Sequence, residues 1–295
     1  AIKACLKAAE INGVTSKVEA YNKEANLFML EFSSPEKRFN GVDIDPFGSP
    51  IPFIDSAFKA IRNGGILTIT ATDTTILNGL YPRVARRRYI GVPARDDNSK
   101  ESGLRLLISS IVWRAAALDL AAYPLFGYST HHYVCCFLKI ERSALKADAL
   151  MNQIGYVYYC TKCGFKGLKN DICPICCSKL SVAGPLWLSS IHNEDFLKQM
   201  LEEARKRMFR KYETLILRAL NEIDLPPFYY SISWICDNLQ LRMPSMNNLV
   251  NEIKGRGYRA CRSSIDNVGI KTDAPYNVLL EILKELSLKS EANNV

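Results

Sequence analysis

The chain has 295 residues, 48% of them hydrophobic and 23% charged, which is enough for about two domains with buried cores. No apolar run approaches the ~18 residues needed to span a bilayer, and no signal peptide is visible, so a soluble, cytoplasmic protein is expected. The net charge of +8 favours a polyanionic partner through phosphate contacts, and it divides evenly, +4 in each half, so it does not belong to a detachable tail.

Helical and strand patterns alternate over the first 140 residues. Ile2 to Ile11 reads as helix, Lys17 to Tyr21 as strand, Glu24 to Phe32 as helix and Phe39 to Asp45 as strand, an α/β domain with a parallel sheet. Apolar residues at Ile51, Ile54, Ala57, Phe58 and Ile61 form one helix face, stopped by Gly64-Gly65, and Ile66 to Thr70 is a buried strand. Residues 78 to 100, rich in Arg, Pro and Asn, read as a surface loop before a long amphipathic helix from Leu104 to Leu118. Tyr123 to Ser129 and Tyr133 to Ile140 then read as an antiparallel edge to the sheet.

Composition shifts to Cys, Lys and Gly between Cys160 and Cys176, the mark of a small metal-stapled insert. A long helix follows from Glu194 to Ile223, ended by Pro226-Pro227. The remainder reads as two helices (Tyr229 to Leu239, Ser245 to Gly255), two strands (Tyr258 to Ser263, Val268 to Lys271) and a helix from Pro275, a winged-helix-like α+β module; Ser290 to Val295 reads as disordered. The boundaries are 1–145 for the α/β domain, 146–190 for a linker with the cysteine ribbon and 191–295 for the C-terminal domain.

Chemistry in an open α/β sheet gathers at the carboxyl ends of strands. Asp45-Pro46-Phe47-Gly48-Ser49-Pro50 lies at such an end, and its prolines and glycine leave the loop few conformations. By itself Asp-Pro-Phe-Gly is also a plain βα turn. Its chemical potential is specific, however. A nucleobase amine is a weak nucleophile because its lone pair is delocalised, and a carboxylate and a carbonyl accepting its two N–H bonds hold the nitrogen toward a methyl donor. Asp45 and the Pro46 carbonyl suit those roles, and Phe47 suits stacking on a flipped base.

Of the ten cysteines, Cys160, Cys163, Cys173 and Cys176 form two C-x2-C knuckles nine residues apart. Four thiolates converging this way suit tetrahedral, structural zinc, with an iron–sulfur cluster or free thiols as the alternatives. Cys177 competes with Cys176, but only Cys176 keeps the spacing. Cys5, Cys135, Cys136, Cys236 and Cys261 read as small core residues. Arg83, Arg86, Arg87 and Arg88 follow the strand end at Thr72-Asp73 and are candidate phosphate contacts. The basic residues of the long helix, Arg205, Lys206, Arg207, Arg210 and Lys211, read as paired with Glu202 and Glu203. His131, His132 and His192 lack metal spacing or a partner carboxylate and read as structural.

Asp43-Ile-Asp45-Pro-Phe-Gly-Ser-Pro50 followed by Thr70-Ala-Thr-Asp73 resembles the tRNA guanine-26 N2-dimethyltransferase family. Glu101-Ser-Gly-Leu-Arg-Leu-Leu107, His132-Tyr-Val134, Gly184-Pro-Leu-Trp187 and Gly269-Ile-Lys-Thr-Asp-Ala-Pro275 extend the likeness in consistent order from about residue 20 to residue 280. The resemblance implies a Rossmann-like class I methyltransferase that moves one or two methyl groups from S-adenosylmethionine to guanine N2 of tRNA. It implies that Asp45 and Pro46 grip N2 and that Phe47 lines the base pocket. Glu24-Ala25 takes the place of the acidic residue and alanine that meet the donor's adenine, where aspartate is usual, and Asp43 joins the donor site; Glu24 also reads simply as a helix cap. Lys271-Thr272, at a hairpin tip, becomes a further RNA contact.

The chain also departs from the family pattern. The glycine-rich loop and the ribose-binding acidic residue are expected before residue 1, which predicts a truncated record or fragment whose strand ending at Asp45 is unpaired on one side. Arg262-Ser263-Ser264 replaces a basic residue followed by Thr-His. In the related Asp/Asn-Pro-Pro-Tyr motif the stacking aromatic lies one position later than Phe47. Competing readings are an amino-methyltransferase acting on adenine or a protein amide, and a non-catalytic zinc-ribbon and winged-helix RNA-binding protein. No obligate protein partner is evident.

Overall fold

The computed structural model describes residues 1 to 292. The chain opens with α1 (Ile2–Ile11), a 3-10 turn at Thr15–Lys17 and α2 (Ala25–Glu31), whose first turn is capped by the Glu24 carboxylate. The strand expected at Lys17 to Tyr21 does not form. Val18 has extended dihedrals, but a strand exists only through its ladder, and among the described residues nothing pairs with this segment.

β1 (Phe39–Ile44) leads through the loop at Asp45 and a 3-10 turn at Ile51–Phe53 into α3 (Ile54–Ala60) and β2 (Ile61–Ala71). The two strands are parallel, with Ile44 opposite Ile69. The helix stops at Ala60, earlier than expected, and Gly64 instead takes φ 77° inside β2, close to where its register with β1 shifts. A bulge of this kind is a regular use of a glycine that tolerates positive φ.

Residues 78 to 100 are not a loop throughout. α4 (Thr74–Leu77) and α5 (Pro82–Tyr89) precede the irregular stretch. Pro82, which reads as a breaker, sits at the first helical position where its missing N–H costs nothing. Ala85 and Tyr89, one turn apart, then bury a common face.

α6 (Ser99–Ala116) was expected to be amphipathic and is instead enclosed, with Glu101 through Val112 all buried. Gly103 explains how closely it packs: an added Cβ would lie 2.5 Å from the Leu77 carbonyl oxygen. β3 (Leu120–Ser129) and β4 (Val134–Arg142) complete a mixed sheet in the order β1-β2-β4-β3, with β4 antiparallel to both neighbours and β1 at one edge.

α7 (Ala144–Met151) joins this sheet to a second, of β5 (Ile154–Tyr159), β6 (Lys166–Gly167) and β7 (Ser181–Trp187), in the order β6-β5-β7. The single helix expected from Glu194 to Ile223 is two, α8 (Glu194–Lys206) and α9 (Arg210–Glu222), reversing at Met208 with φ 56°. Neither Gly nor Pro marks this break. It follows from packing, because Leu197, Leu201 and Ala204 of one helix and Ile216 and Ala219 of the other share one core with Phe126 of β3.

The chain ends with β8 (Tyr230–Ser231), α10 (Ile232–Leu239), α11 (Met246–Gly255), β9 (Ala260–Arg262), β10 (Gly269–Thr272) and α12 (Tyr276–Ala292), the strands ordered β8-β10-β9. The helix α12 covers Ser290 to Ala292, where disorder was expected, while residues 293–295 lie outside the described residues. Cys160, Cys163 and Cys173 share a core with Ile232, Ile253 and Leu283. The cysteine ribbon is therefore built into the C-terminal helices. Cys135, Cys136, Cys236 and Cys261 are buried as expected, but Cys5 is exposed, since only Ala9 of α1 is buried.

Candidate active site

Strand register defines one rim of the main sheet. Ile44 lies opposite Ile69, Ala71 opposite Val134, and Val134 opposite Ser129, so Asp45, Thr72 and the β3–β4 turn stand at the same end. His131 and His132 are exposed in that turn, and no metal-binding group of side chains includes them among the described residues.

At this rim Asp45 is exposed and Phe47 is entirely so, at 105% of its reference area. An aromatic ring held in water has lost burial worth roughly 1.5–3 kcal/mol, which a partner's aromatic face would restore. The loop beneath it is fixed. Gly48 has φ 90°, its N–H donates to Thr72 Oγ1 at 2.6 Å, and Thr72 N–H donates to the Gly48 carbonyl at 2.9 Å. A side chain at position 48 would meet no atom within 4 Å, so only the backbone conformation calls for glycine there.

A second tie runs through Tyr89, which the sequence reading missed. Its hydroxyl lies 3.0 Å from Ser49 Oγ and donates to Asp73 Oδ1 at 2.6 Å, while Arg88 reaches Asp73 Oδ2 at 3.1 Å. Burial, and then the hydrogen bond to Asp73, push the Tyr89 phenol far above its ordinary pKa, so it stays a neutral donor. The chain Ser49–Tyr89–Asp73–Arg88 thus joins the loop at Asp45 to the arginine helix. The only sequence signal was Tyr89 one turn after Ala85, closing the Arg-rich run.

Arg83, Arg86 and Arg87 are exposed on α5 and make no ion pair among the described residues. Arg88 is the exception, being held by Asp73.

Asp43 lies on β1 and Asp45 one residue past its end. Partial burial, and then the charge of Asp45, raise the Asp43 pKa. Glu24 is exposed, with Oε2 accepting from Leu27 N–H at 2.8 Å and Oε1 from the Asn26 amide at 3.0 Å. These bonds, first that from Leu27, lower its pKa. Each carboxylate oxygen keeps a further lone pair, so capping α2 does not prevent Glu24 from accepting a ligand's amino group. Ala25, also exposed, begins the helix.

The sulfur atoms of Cys160, Cys163, Cys173 and Cys176 all lie within 4.8 Å of one another, with Cys160–Cys176 and Cys163–Cys173 each at 3.4 Å. Zn–S bonds of ~2.3 Å in a tetrahedron place sulfurs a little under ~4 Å apart, so these four residues fit zinc. Hydrogen bonds from Ser178 hold the Cys176 thiol down to about 6, which supplies one ready thiolate. Cys177 is outside the group, as its φ of 56° reflects the turn leaving the knuckle.

Lys271 and Thr272 overturn the expectation of an RNA-reaching hairpin tip. Both are buried in β10, at 2% and 5% exposure. Lys271 Nζ lies 2.9 Å from Glu101 Oε1 and 3.3 Å from Glu222 Oε2, and Thr272 Oγ1 donates to the Arg259 carbonyl. An ammonium enclosed by two carboxylates is not available to phosphate.

Glu101 is the centre of this cluster. Oε1 also takes Arg105 Nε at 2.9 Å and the Phe228 N–H at 2.9 Å, and Oε2 takes the Tyr229 N–H at 3.1 Å. Arg105 in turn donates to the carbonyls of Trp187 and Ser189, both at 2.8 Å. Glu222 accepts from Ser264 N–H, and its Oε2 is 3.5 Å from His192 Nε2. Burial lowers the His192 pKa against the pull of Glu222, so the imidazole is neutral. The sequence placed Glu101 and Arg105 four residues apart, but nothing in it joined them to Lys271 or Glu222.

The family model for N2,N2-dimethylguanosine tRNA methyltransferase matches residues 1–284. The chain belongs to that family. It is 33% identical over 286 residues to the tRNA (guanine(26)-N(2))-dimethyltransferase of Methanothermobacter thermautotrophicus, covering 94% of this chain and 74% of that one. It is 34% identical over 282 residues to the tRNA (guanine(26)-N(2)/guanine(27)-N(2))-dimethyltransferase of Aquifex aeolicus, covering 92% and 70%. Among solved structures, Trm1 from Pyrococcus horikoshii in complex with S-adenosyl-L-methionine superposes with a TM-score of 0.79 at 28% identity, covering 92% of this chain and 79% of that one. For this member of the dimethyltransferase family, the mixed sheet and its rim are thus set in the fold of an enzyme, which removes the reading as a pure RNA-binding protein.

Proposed function

We propose that the protein is a tRNA (guanine(26)-N(2))-dimethyltransferase in which Asp45 and the Pro46 carbonyl orient the exocyclic amine and Phe47 stacks on the target base. The observation that carries this reading is the loop at Asp45. Its carboxylate and aromatic ring are offered to solvent while Thr72 pins the Gly48 backbone and Tyr89 the Ser49 hydroxyl. A rigid acceptor pair costs little reorganisation when the amine arrives, and it directs the nitrogen lone pair away from the ring. S-adenosyl-L-methionine, when bound, supplies a methyl group on a positively charged sulfur. Glu24, Ala25 and Asp43 are the residues of this chain proposed to receive it, Glu24 through its remaining lone pairs. In this reading Asp45, which is exposed, holds the N–H whose proton becomes acidic once nitrogen is methylated.

The division of labour follows the chain. Residues 1–145 carry the catalytic rim, 146–190 the cysteine ribbon with structural zinc, and 191–295 an α+β region with a winged-helix-like end that meets tRNA. Arg83, Arg86 and Arg87 are proposed phosphate contacts, with Arg88 orienting the helix through Asp73. No helix among the described residues is long and apolar enough to cross a membrane, and the place of work proposed is the cytoplasm, where tRNA is processed. The test is incubation with methyl-labelled S-adenosyl-L-methionine and unmodified tRNA, followed by digestion and mass spectrometry. N2-methylated and N2,N2-dimethylated guanosine at position 26 are expected, and their absence from a guanine-26 tRNA, or label in adenine or protein instead, overturns the assignment.

A further inference from the structure

The break at Met208 puts a basic and aromatic turn where a continuous helix was expected. Lys206, Arg207, Met208, Phe209, Arg210, Lys211 and Tyr212 follow one another, with Met208 82%, Phe209 50% and Tyr212 54% exposed. Three of the five cations in this region are paired, Arg205 with Glu213 and Lys206 and Arg207 with Glu203. Arg210 and Lys211 are exposed and pair with nothing among the described residues. The pairing expected for all five residues therefore stops where the helix does.

Beneath the turn lies a groove of about 670 Å³. One wall is the face of the sheet edge, Phe126, Tyr128 and Phe137, and the other is Met200, Phe209 and Tyr212 of the hairpin. Phe126 and Tyr128 stack with centroids 5.4 Å apart, and Phe209 meets Tyr212 edge-on at 6.0 Å. Arg207 and its ion-pair partner Glu203 also line the groove. Tyr128 is next to Ser129, a rim residue, and β3 lies three strands from β1. At ~4.8 Å per strand, groove and catalytic loop are separated sideways by ~14 Å, about four base-pair steps of ~3.4 Å.

We propose that this turn and groove form a second tRNA-binding surface beside the catalytic rim, the groove taking an unstacked base and Arg210 and Lys211 the phosphates flanking it. The inference rests on tRNA being the substrate. Aromatic walls accept a base of any sequence through its π-face, and two unpaired cations that lie between Phe209 and Tyr212 on the same turn complement the backbone, the combination by which single-stranded nucleic acid is held. A protein partner of the same apolar groove would have no need of unpaired cations on the same turn.

The experiment measures tRNA affinity of the full chain at several salt concentrations, with wild type, Arg210→Glu/Lys211→Glu and Phe209→Ala/Tyr212→Ala, all three checked for equal melting. The charge variant is expected to lose roughly tenfold or more in affinity and to lower the salt slope by roughly two. The aromatic variant is expected to lose roughly tenfold with the slope unchanged. Methyl transfer is expected to rise in KM without a fall in kcat, which separates this surface from the catalytic loop. Variants that bind with wild-type affinity and slope overturn the inference alone. A wild type that binds no tRNA overturns both it and the assigned substrate.

Discussion

At Asp45 a carboxylate stands exposed at the end of a strand, while at Glu101 a carboxylate is enclosed, with its oxygens taken by Arg105, Lys271 and two backbone N–H groups. Both lie in stretches through which the chain resembles its family, and only burial tells their work apart. The first is free to meet a substrate and is braced from behind. The second is fully buried, out of a substrate's reach, and instead binds α6, β10 and the segment after α9 into one unit. A charged residue within a family signature is thus a candidate for chemistry only where the fold leaves it within reach of a substrate.

The contrast breaks most visibly at Glu101. Glu101→Ala leaves Arg105 and Lys271 buried beside a hole and two N–H groups unsatisfied, a loss of about 3–5 kcal/mol. Thermal melting is expected to fall by about 10 °C; an unchanged melting temperature means that the cluster does not hold the domains together. At the rim, Tyr89→Phe removes one hydroxyl and both its bonds to Ser49 and Asp73. A roughly tenfold fall in kcat is expected, with tRNA affinity unchanged, because the loop loses its fixed geometry without losing a contact surface. Equal kcat in the two proteins makes the brace irrelevant.

The smallest effect is on pH. His192 has a folded pKa lowered from 6.5, by burial first, so it contributes stability that is complete above about 6.5 and is lost as pH falls below it. Burial would raise the Glu222 pKa, but the charge of Lys271 overcomes it and the carboxyl is held down to about 2, so its contribution is complete above 4.5 and is lost only in stronger acid. Melting temperature is expected to decline from pH 6.5 toward 5, and His192→Asn to flatten that part of the curve. A wild-type curve with no slope there contradicts the neutral histidine.

Much of this was legible in the residues. Asp45, Pro46 and Phe47 are contiguous and prolines fix their turn, so a local signal sufficed to place an exposed loop at the end of a strand. The four cysteines carry their ligand geometry in their spacing, and the structure brought them together. Tertiary packing accounts for most of the rest. Lys271 reads as a hairpin tip because no local feature shows that Glu101, 170 residues away, will take its charge. The turn at Met208 has no glycine or proline to announce it, since the shared core around Phe126 sets it. Tyr89 is one more aromatic in the chain until the fold places Ser49 against its hydroxyl.

The central claim concerns one carboxylate at the rim. In the full protein, Asp45→Ala is expected to reduce single-turnover methyl transfer to guanine-26 tRNA by about 100-fold or more, with tRNA affinity within twofold of wild type. Transfer at the wild-type rate under the same conditions contradicts the account.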